Sequence, residues 1–537
     1  MDLKMLIMLA GGLGLFLYGM KMMGDGLEKA AGDKLKRLLE ALTTNRIMGV
    51  LVGTAVTAII QSSSAVTVMV IGFVNAGLMT LEQAVGVIMG ANIGTTITSQ
   101  LIAFDLSGAA PVAVFLGVGC IFFSKRKSFK KFGEILAGFG ILFMGLDIMS
   151  SSMAPLGTNE QFRSLMVKFE NPILGLLAGM LLTALIQSSS ASIGILQALA
   201  MQGAITLDSA IFILFGQNIG TCVTALIASI GTTTTAKRAA IMHLLFNILG
   251  TILFTILIVV GVPYVPFIKS LSPNDAVRQF ANAHTAFNII NVILLLPLAN
   301  YLVTLSKKLV PGKESDSEGM HLMYLDERIM ETPPIAVAQI LKEVGRMGDL
   351  ARQNVEVAMN AFLNRDENAT EDIYRREKLI NFLNKEITRY LVMANGLSLQ
   401  NSDLKLIGSL FHVVNDMERV SDHAENLAEY TEYIVENNIS FSPAAIEEMQ
   451  DINIKVINML EDSIEAVKKR DKVLAAKVQP QERKVDELEE LLRQSHIDRL
   501  NKGECTVNSG VVFLDVVTNL ERIGDHASNL AYSVIDN

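Results

Sequence analysis

The sequence predicts an all-α protein: a polytopic membrane domain of two inverted repeats with re-entrant helical hairpins, then a cytoplasmic helical-bundle domain. Three observations predict it. Long apolar runs crowd a first half that carries few charges, an ungapped offset of 126 residues maps that half onto itself, and a shorter self-match marks the acidic remainder. Residues 1–305 hold 18 Lys and Arg against 13 Asp and Glu, about +5, whereas the other 232 residues hold 27 against 41, about −14. That asymmetry excludes a wholly soluble chain, and no nucleic-acid partner is expected. Cys120, Cys222 and Cys505 are too few and too scattered for a disulfide framework or a zinc ribbon.

The apolar runs lie at 5–23, 81–104, 109–123, 132–153, 207–229, 239–261 and 280–305. At 1.5 Å per residue most of them can span ~30 Å of hydrocarbon. The first is not read as a cleaved signal, because its glycines recur later in the chain. Two more runs, 47–76 and 173–204, are interrupted by Gln-Ser-Ser-Ser-Ala at Gln61 to Ala65 and Gln187 to Ala191. Each arm is too short to cross, so both runs are expected to form re-entrant hairpins.

The 126-residue offset pairs Gly12, Gly14 and Gly19 with Gly138, Gly140 and Gly145, Asn45 with Asn171, and Thr57 with Thr183. It also pairs Thr80-Leu81-Glu82 with Thr206-Leu207-Asp208, and Asn92-Ile93-Gly94-Thr95 with Asn218-Ile219-Gly220-Thr221. This is an internal duplication, with repeats at about 5–123 and 132–261 and an extra helix at 280–305. Three crossings per repeat would insert the second copy upside down. Lys29, Lys34, Lys36, Arg37 and Arg46, the cluster from Lys125 to Lys131, and the pairs Lys237-Arg238 and Lys307-Lys308 then fall on the inner side. The expected protein is multi-pass in the cell (inner) membrane, with its amino terminus outside and its tail in the cytoplasm.

A polar linker, expected at 306–335, ends the membrane domain of residues 1–305. A helical domain at 336–537 follows, in which Glu418-Arg419-Val420-Ser421-Asp422-His423-Ala424 recurs 103 residues later as Glu521-Arg522-Ile523-Gly524-Asp525-His526-Ala527. Two three-helix bundles are expected.

Five polar residues inside an apolar run must face a cavity or protein, because in lipid they would lose water without replacement. A break at Ser62, Ser63 and Ser64 presents amide donors, hydroxyls and the positive end of a helix dipole, and the break at Ser188, Ser189 and Ser190 does the same. Two such tips entering from opposite faces make a donor cradle for a tetrahedral oxyanion. Serines that merely let helices pack closely would leave Gln61 and Gln187 unexplained. Neither tip contains Lys or Arg, so bound cations would supply the missing charge. Gln61, Gln187 and unwound segments carrying Asn92, Thr95, Asn218 and Thr221 suit sodium, against the alternative of a glycine kink with helix-internal Asn and Thr.

Glu82 and Asp208 are read as helix-capping acids rather than ion ligands. His243 with Asn247, and His284 with Asn288, share the pattern His-x-x-Phe-Asn and are read as buried packing pairs ahead of a proton-coupling role. In the tail, Glu418/Asp422, Glu482/Asp486 and Glu521/Asp525 each present two carboxylates on one helix face, a donor set for a divalent or iron-type metal. The alternative is a charge network with Arg419 and Arg522. No nucleophile with a partnered base and no phosphate loop stands out, so the chain is not expected to be an enzyme.

Together these motifs make the chain resemble the type II sodium-phosphate cotransporter family in its bacterial form, with a PhoU-like carboxyl-terminal domain. The resemblance implies sodium-coupled phosphate symport, with Ser62 to Ser64 and Ser188 to Ser190 near phosphate and the glutamines helping to bind substrate or sodium. It also implies a regulatory tail that meets cytoplasmic proteins or a second copy. The first-bundle counterpart of Glu482/Asp486 reads Glu377 and Asn381, which implies a weakened or lost metal site there. A membrane-tethered phosphate sensor and a carrier of another small anion are the competing readings.

Overall fold

Apolar segments with few breakers form helices, and in the computed structural model every regular element is helical among the described residues, which are 3–31, 45–104, 106–312, 320–397 and 399–536. Lys34, Lys36, Arg37 and the linker residues 313–319 lie outside that set. The chain divides into two compact units, Met1–Asp316 and Ser317–Asn537.

The first unit contains α1 (Leu3–Ala31), α2 (Arg46–Ile60), α3 (Ser63–Asn75), α4 (Leu81–Ile102), α5 (Ala110–Phe123), α6 (Lys127–Gly157) and α7 (Glu160–Val167). It continues with α8 (Pro172–Ile186), α9 (Ser189–Met201), α10 (Leu207–Ala228), α11 (Thr234–Val259), α12 (Tyr264–Leu271), α13 (Ala276–Leu295) and α14 (Ala299–Leu309). The bounds of α8, α9 and α10 equal those of α2, α3 and α4 shifted by 126 residues, so the duplication read in the sequence is a duplication of structure.

The two copies run in opposite senses. Gly12 meets Gly145 and Met149, while Gly19 meets Gly138 and Leu142, so positions rise along α1 as they fall along α6. These equivalent helices are therefore antiparallel. A Cβ at Gly12 would lie 2.7 Å from the Met149 nitrogen, and those at Gly19 and Gly145 would collide with the backbone nitrogens of Leu142 and Phe16, which explains why only glycine fits at this crossing. The acids at the helix starts repeat the point. Glu82 pairs with Lys307 beside the start of α4, whereas Arg278 donates to the carbonyl of Ala103 just past the other end of that helix. Asp208, at the start of α10, pairs with Lys269 on α12, the helix that precedes Arg278.

Five helices, α1, α4, α6, α10 and α11, are long and apolar enough to cross a membrane among the described residues. The unit is that of a multi-pass membrane protein. Two expected crossings differ. The run at 280–305 is not one helix: α13 and α14 meet at 86°, because Pro297 lacks an N–H and clashes with the preceding turn. The run at 109–123 yields only the 14 residues of α5, about 21 Å at 1.5 Å each. Its apolar side chains still face outward, Phe115 being 78% and Phe123 88% exposed, as suits a lipid-facing helix.

The second unit holds α15 (Pro333–Asn364), α16 (Thr370–Asn395), α17 (Asn401–Glu436), α18 (Pro443–Lys469), α19 (Lys472–Asn501) and α20 (Val507–Ile535). The helices α15–α17 pack together, as do α18–α20, and α17 packs on α20 across the two groups. Buried Ile, Leu, Val and Met at helical spacing form the cores, such as Leu406, Leu410, Val413 and Met417 on α17.

Candidate functional site: paired serine tips

Both interruptions are built alike. Asn45 caps α2, its side chain accepting from the Met48 amide at 2.8 Å, and Asn171 caps α8 through Ile173 at 3.0 Å. The two helices stop at Gln61 (φ 60°, ψ 21°) and Gln187 (φ 58°, ψ 22°), both in the left-handed conformation. Their amides donate to the carbonyls of Thr57 and Thr183, each at 2.7 Å. The chain then extends at Ser62 and Ser188 and starts a new helix, so each motif is a stop and a start two residues apart.

Ser62 and Ser188 spend their hydroxyl oxygens on the caps of α3 and α9, accepting from Ala65 at 3.1 Å and Ala191 at 3.2 Å. The amides of Val66 and Ser192 return to the carbonyls of Ser62 and Ser188. Helix geometry therefore leaves the first-turn amides of Ser63 and Ser64, and of Ser189 and Ser190, as the donors aimed out of each tip. The helix α3 packs against both α4 and α10, and α9 against both α10 and α4, so the two return arms share the same pair of neighbours.

The first arms are seated by close glycine contacts that also obey the duplication. A Cβ at Gly90 would collide with the Val50 carbonyl, and one at Gly216 with that of Leu176. The segments Asn92-Ile93-Gly94-Thr95 and Asn218-Ile219-Gly220-Thr221 are not unwound, which corrects the sequence reading. They are continuous helix in α4 and α10, with Asn92 donating to Ile88, Thr95 to Ala91, Asn218 to Leu214 and Thr221 to Gln217. A Gly whose role is close packing needs no break in the ladder. All four polar side chains are nevertheless buried.

Thr57 and Thr183, one turn before each glutamine, are fully buried with side-chain oxygens that lack a hydrogen-bond partner. The sequence reading did not name them as site residues; the signal was their pairing at the 126 offset. Thr80 caps α4 in a reciprocal box with Gln83, so the capping reading of Glu82 fits its position in the first turn. His284 lies 3.0 Å from the Ser99 hydroxyl, and Gln197 donates to the Ser99 carbonyl at 3.1 Å, tying α4, α9 and α13 together. Asn247 and Asn288 donate to the backbone carbonyls of His243 and His284 one turn earlier, and both histidines are buried.

In the tail, Asp486, Glu521 and Asp525 bring ligand atoms within 4.8 Å of one another, and Glu482 lies outside that group. Burial first, and then Asp525, raises the carboxyl pKa values of Asp486 and Glu521. Glu418 and Asp422 lie 4.0 and 3.6 Å from Arg419, and Glu521 and Asp525 lie 3.8 and 3.7 Å from Arg522. Glu377 is instead buried and accepts from Ser421, which in turn accepts from Asn354 at 3.2 Å. Burial foremost pushes its pKa to about 7.

The family described as Na+/Pi-cotransporter matches residues 15–151 and again 152–296, and the family described as PhoU domain matches 344–431 and 447–534. The chain is 35% identical over 300 residues to the Bacillus subtilis (strain 168) protein named "Uncharacterized protein YqeW", covering 56% of this chain and 96% of that one. It is 22% identical over 542 residues to the Escherichia coli (strain K12) protein named "Putative inorganic phosphate export protein YjbB", covering 99% and 97%. The tail is 26% identical over 195 residues to the Thermotoga maritima "Phosphate-specific transport system accessory protein PhoU homolog 1", covering 36% and 83%.

Proposed function

The chain belongs to the Na+/Pi-cotransporter family and carries two PhoU domains, and on that premise we propose that it is a secondary carrier moving inorganic phosphate with sodium across the cell membrane. One observation carries the reading: two equivalent tips, in oppositely directed repeats, each end on a left-handed glutamine and open with serine amides that lack helical partners. Those amides, with Ser63, Ser64, Ser189 and Ser190, donate to phosphate, while Ser62 and Ser188 keep the tips in shape.

Phosphate near neutral pH carries more than one negative charge, and neither tip contains Lys or Arg. Helix ends offset only part of the cost of burying it. Sodium supplies the rest, held by the oxygens of Gln61 and Gln187 with Thr57 and Thr183, whose orphaned buried hydroxyls suit a hard cation. Asn92, Thr95, Asn218 and Thr221 line the same helices but have their donors turned to the backbone. The hairpins re-enter from opposite faces, and access alternates as one repeat moves against the other. The basic ends at Lys29, Lys131, Arg238 and Lys307 face the cytoplasm, with the amino terminus outside and the tail inside. There the tail regulates transport, and Asp486, Glu521 and Asp525 hold a divalent cation that relieves their mutual repulsion.

Uptake of labelled phosphate into proteoliposomes tests this. Flux that needs a sodium gradient, and that Ser63→Ala or Ser189→Ala lowers roughly 5- to 150-fold for ~1–3 kcal/mol per lost donor, supports the carrier. Phosphate binding without flux would make the chain a sensor, and equal competition by succinate would make it a carrier of other anions. Efflux is the second reading of direction, favoured by the name of the full-length relative; preloaded vesicles with reversed gradients distinguish it.

A further inference from the structure

The tail duplicates a local device at the ends of its first and fourth helices. Ala361-Phe362-Leu363-Asn364-Arg365-Asp366 closes α15, and Ala466-Val467-Lys468-Lys469-Arg470-Asp471 closes α18. Arg365 (φ 57°) and Arg470 (φ 55°) are both left-handed caps, and the amides of Asp366 and Asp471 return to Ala361 at 2.9 Å and Ala466 at 3.0 Å. The two copies then part. Arg365 donates to the Ile434 carbonyl at 3.0 Å, closing the end of α17. At the end of α20 the equivalent task falls to Lys472, which donates to the Ile535 carbonyl at 2.9 Å. Arg470 is thereby released from the closing role its twin performs.

Beside Arg470 lies a cavity of about 260 Å³ between α17, α18 and α20. The duplication explains why it is hollow. Val467, Ser533 and Leu410 line it, and the residues at the equivalent positions of the other copy are Phe362, Tyr430 and Phe513. Three aromatic side chains are thus replaced by smaller ones, and Leu406 in place of Ser509 restores only part of the volume. The aromatic side chains are well packed where they occur: Phe362 lies on Phe441 at 5.5 Å, and Phe513 stacks on His496 at 5.2 Å.

The lining is sorted by chemistry. Leu406, Leu410, Val467 and Val534 give an aliphatic floor, while Arg470 and Lys472 give a cationic, hydrogen-bonding rim without a carboxylate among the described residues; the hydroxyls of Ser409 and Ser533 donate to the Leu406 and Leu530 carbonyls. In a tail of about −14 such a patch is the exception. Lys472 keeps two further N–H donors beyond its bond to Ile535, and Arg470 offers a planar fork.

We infer that this cavity is a binding site for an organic phosphate monoester with a flat or apolar body, about the size of a nucleoside monophosphate. Two cations match the near-double charge of a phosphate monoester better than the single charge of a carboxylate. The aliphatic floor gains nothing from inorganic phosphate, which would leave it wet, and so selects a ligand with a body. The site is separate from the serine tips and stands whether or not the membrane unit carries phosphate.

Isothermal titration of the full chain in detergent with adenosine monophosphate, ribose 5-phosphate, adenosine and inorganic phosphate tests it. At the site that Arg470→Ala removes, adenosine monophosphate is expected to bind at least 10-fold more tightly than any of the other three. Arg470→Ala, and the cavity-filling exchanges Val467→Phe and Ser533→Tyr that copy the aromatic side chains of the other bundle, each weaken it at least 10-fold, whereas Arg365→Ala does not. Circular dichroism and monodispersity show that each variant has folded, and having two filling variants keeps the test open if one has not. The inference is overturned if folded Val467→Phe or Ser533→Tyr binds the nucleotide like the parent, if inorganic phosphate binds as tightly as the nucleotide at the site that Arg470→Ala removes, or if no saturable heat appears at millimolar nucleotide.

Discussion

Gln61 and Gln187 hold the same left-handed backbone at the ends of equivalent helices, yet Gln61 is buried and accepts from Thr98 at 2.8 Å while Gln187 is exposed. Thr224, the counterpart of Thr98, has a buried hydroxyl with no partner. One tip is latched to its neighbouring helix and the other is not, an asymmetry that a carrier with a single open face requires of two like repeats.

This separates backbone from side chain. A left-handed non-glycine residue costs about 1 kcal/mol relative to glycine. Gln187→Gly should therefore hold or raise the melting temperature while lowering sodium-driven phosphate uptake at least tenfold. Gln61→Gly relieves the same strain but loses the Thr98 latch, so its melting temperature should fall below that of Gln187→Gly. Paired melting curves and uptake assays check both; a Gln187→Gly carrier with full uptake would remove the glutamine side chain from the mechanism.

The α1/α6 crossing admits no side chain at its contact points. Gly19→Val should cost several kcal/mol, because the clash is with Leu142 backbone rather than with a movable side chain. Gly14→Val, which has open space around it, should be nearly neutral. Yield of monodisperse protein and thermal stability in detergent report the difference.

Those glycines also mark what the sequence can and cannot disclose. The 126-residue offset was legible because close helix contacts tolerate only small residues, and so Gly12, Gly19 and their partners survive in register. The stop at Gln61 was legible from the polar interruption of an apolar run. The continuity of Asn92 to Thr95 was not, since Asn, Gly and Thr read equally as an unwound segment or as helix with i−4 side-chain bonds; packing against Thr57 decides it. The break at Pro297 was in plain view, but the run Leu294 to Leu296 before it and Leu298 after it masked it. Glu482 shares its spacing with Asp486, yet which of two carboxylates on a helix face meets α20 depends on the rotation of α19, which spacing alone leaves open.

The tail should lose stability as pH rises. Burial, ahead of repulsion by Asp422, Glu425 and Glu418, lifts the Glu377 carboxyl from 4.5 to about 7. The folded tail therefore holds this proton more tightly than the unfolded chain. Its stabilising contribution is complete below pH 4.5 and is lost as pH climbs through 7. Melting temperature followed by far-ultraviolet circular dichroism should fall between about pH 5 and 8. Glu377→Gln should reduce that slope without abolishing it, because Glu418, Glu521 and Asp486 are shifted the same way. An unchanged slope would mean that Glu377 is ionised in the folded tail.

The acidic groups of the two bundles should differ in metal binding, because the duplication has diverged where it matters. In the second bundle Asp486 comes from α19 and Glu521 and Asp525 from α20, so three carboxylates on two helices converge, and burial and mutual repulsion raise the pKa values of Asp486 and Glu521. A divalent cation there replaces repulsion with attraction and displaces protons. In the first bundle the position of Asp486 is occupied by Asn381, and Glu377 is turned inward to Ser421, leaving Glu418 and Asp422 with Arg419. Titration of the full chain with Mn2+ should find a site that Asp486→Asn or Asp525→Asn weakens at least tenfold and that Glu482→Gln or Glu418→Gln leaves nearly unchanged. In buffers of different ionisation enthalpy the binding heat should differ, reporting protons displaced from Asp486 and Glu521, whose carboxyl pKa values are raised. Equal losses from the Glu418 and Asp525 variants would instead place the metal across both bundles, and no loss from either would leave the carboxylates to the arginines beside them.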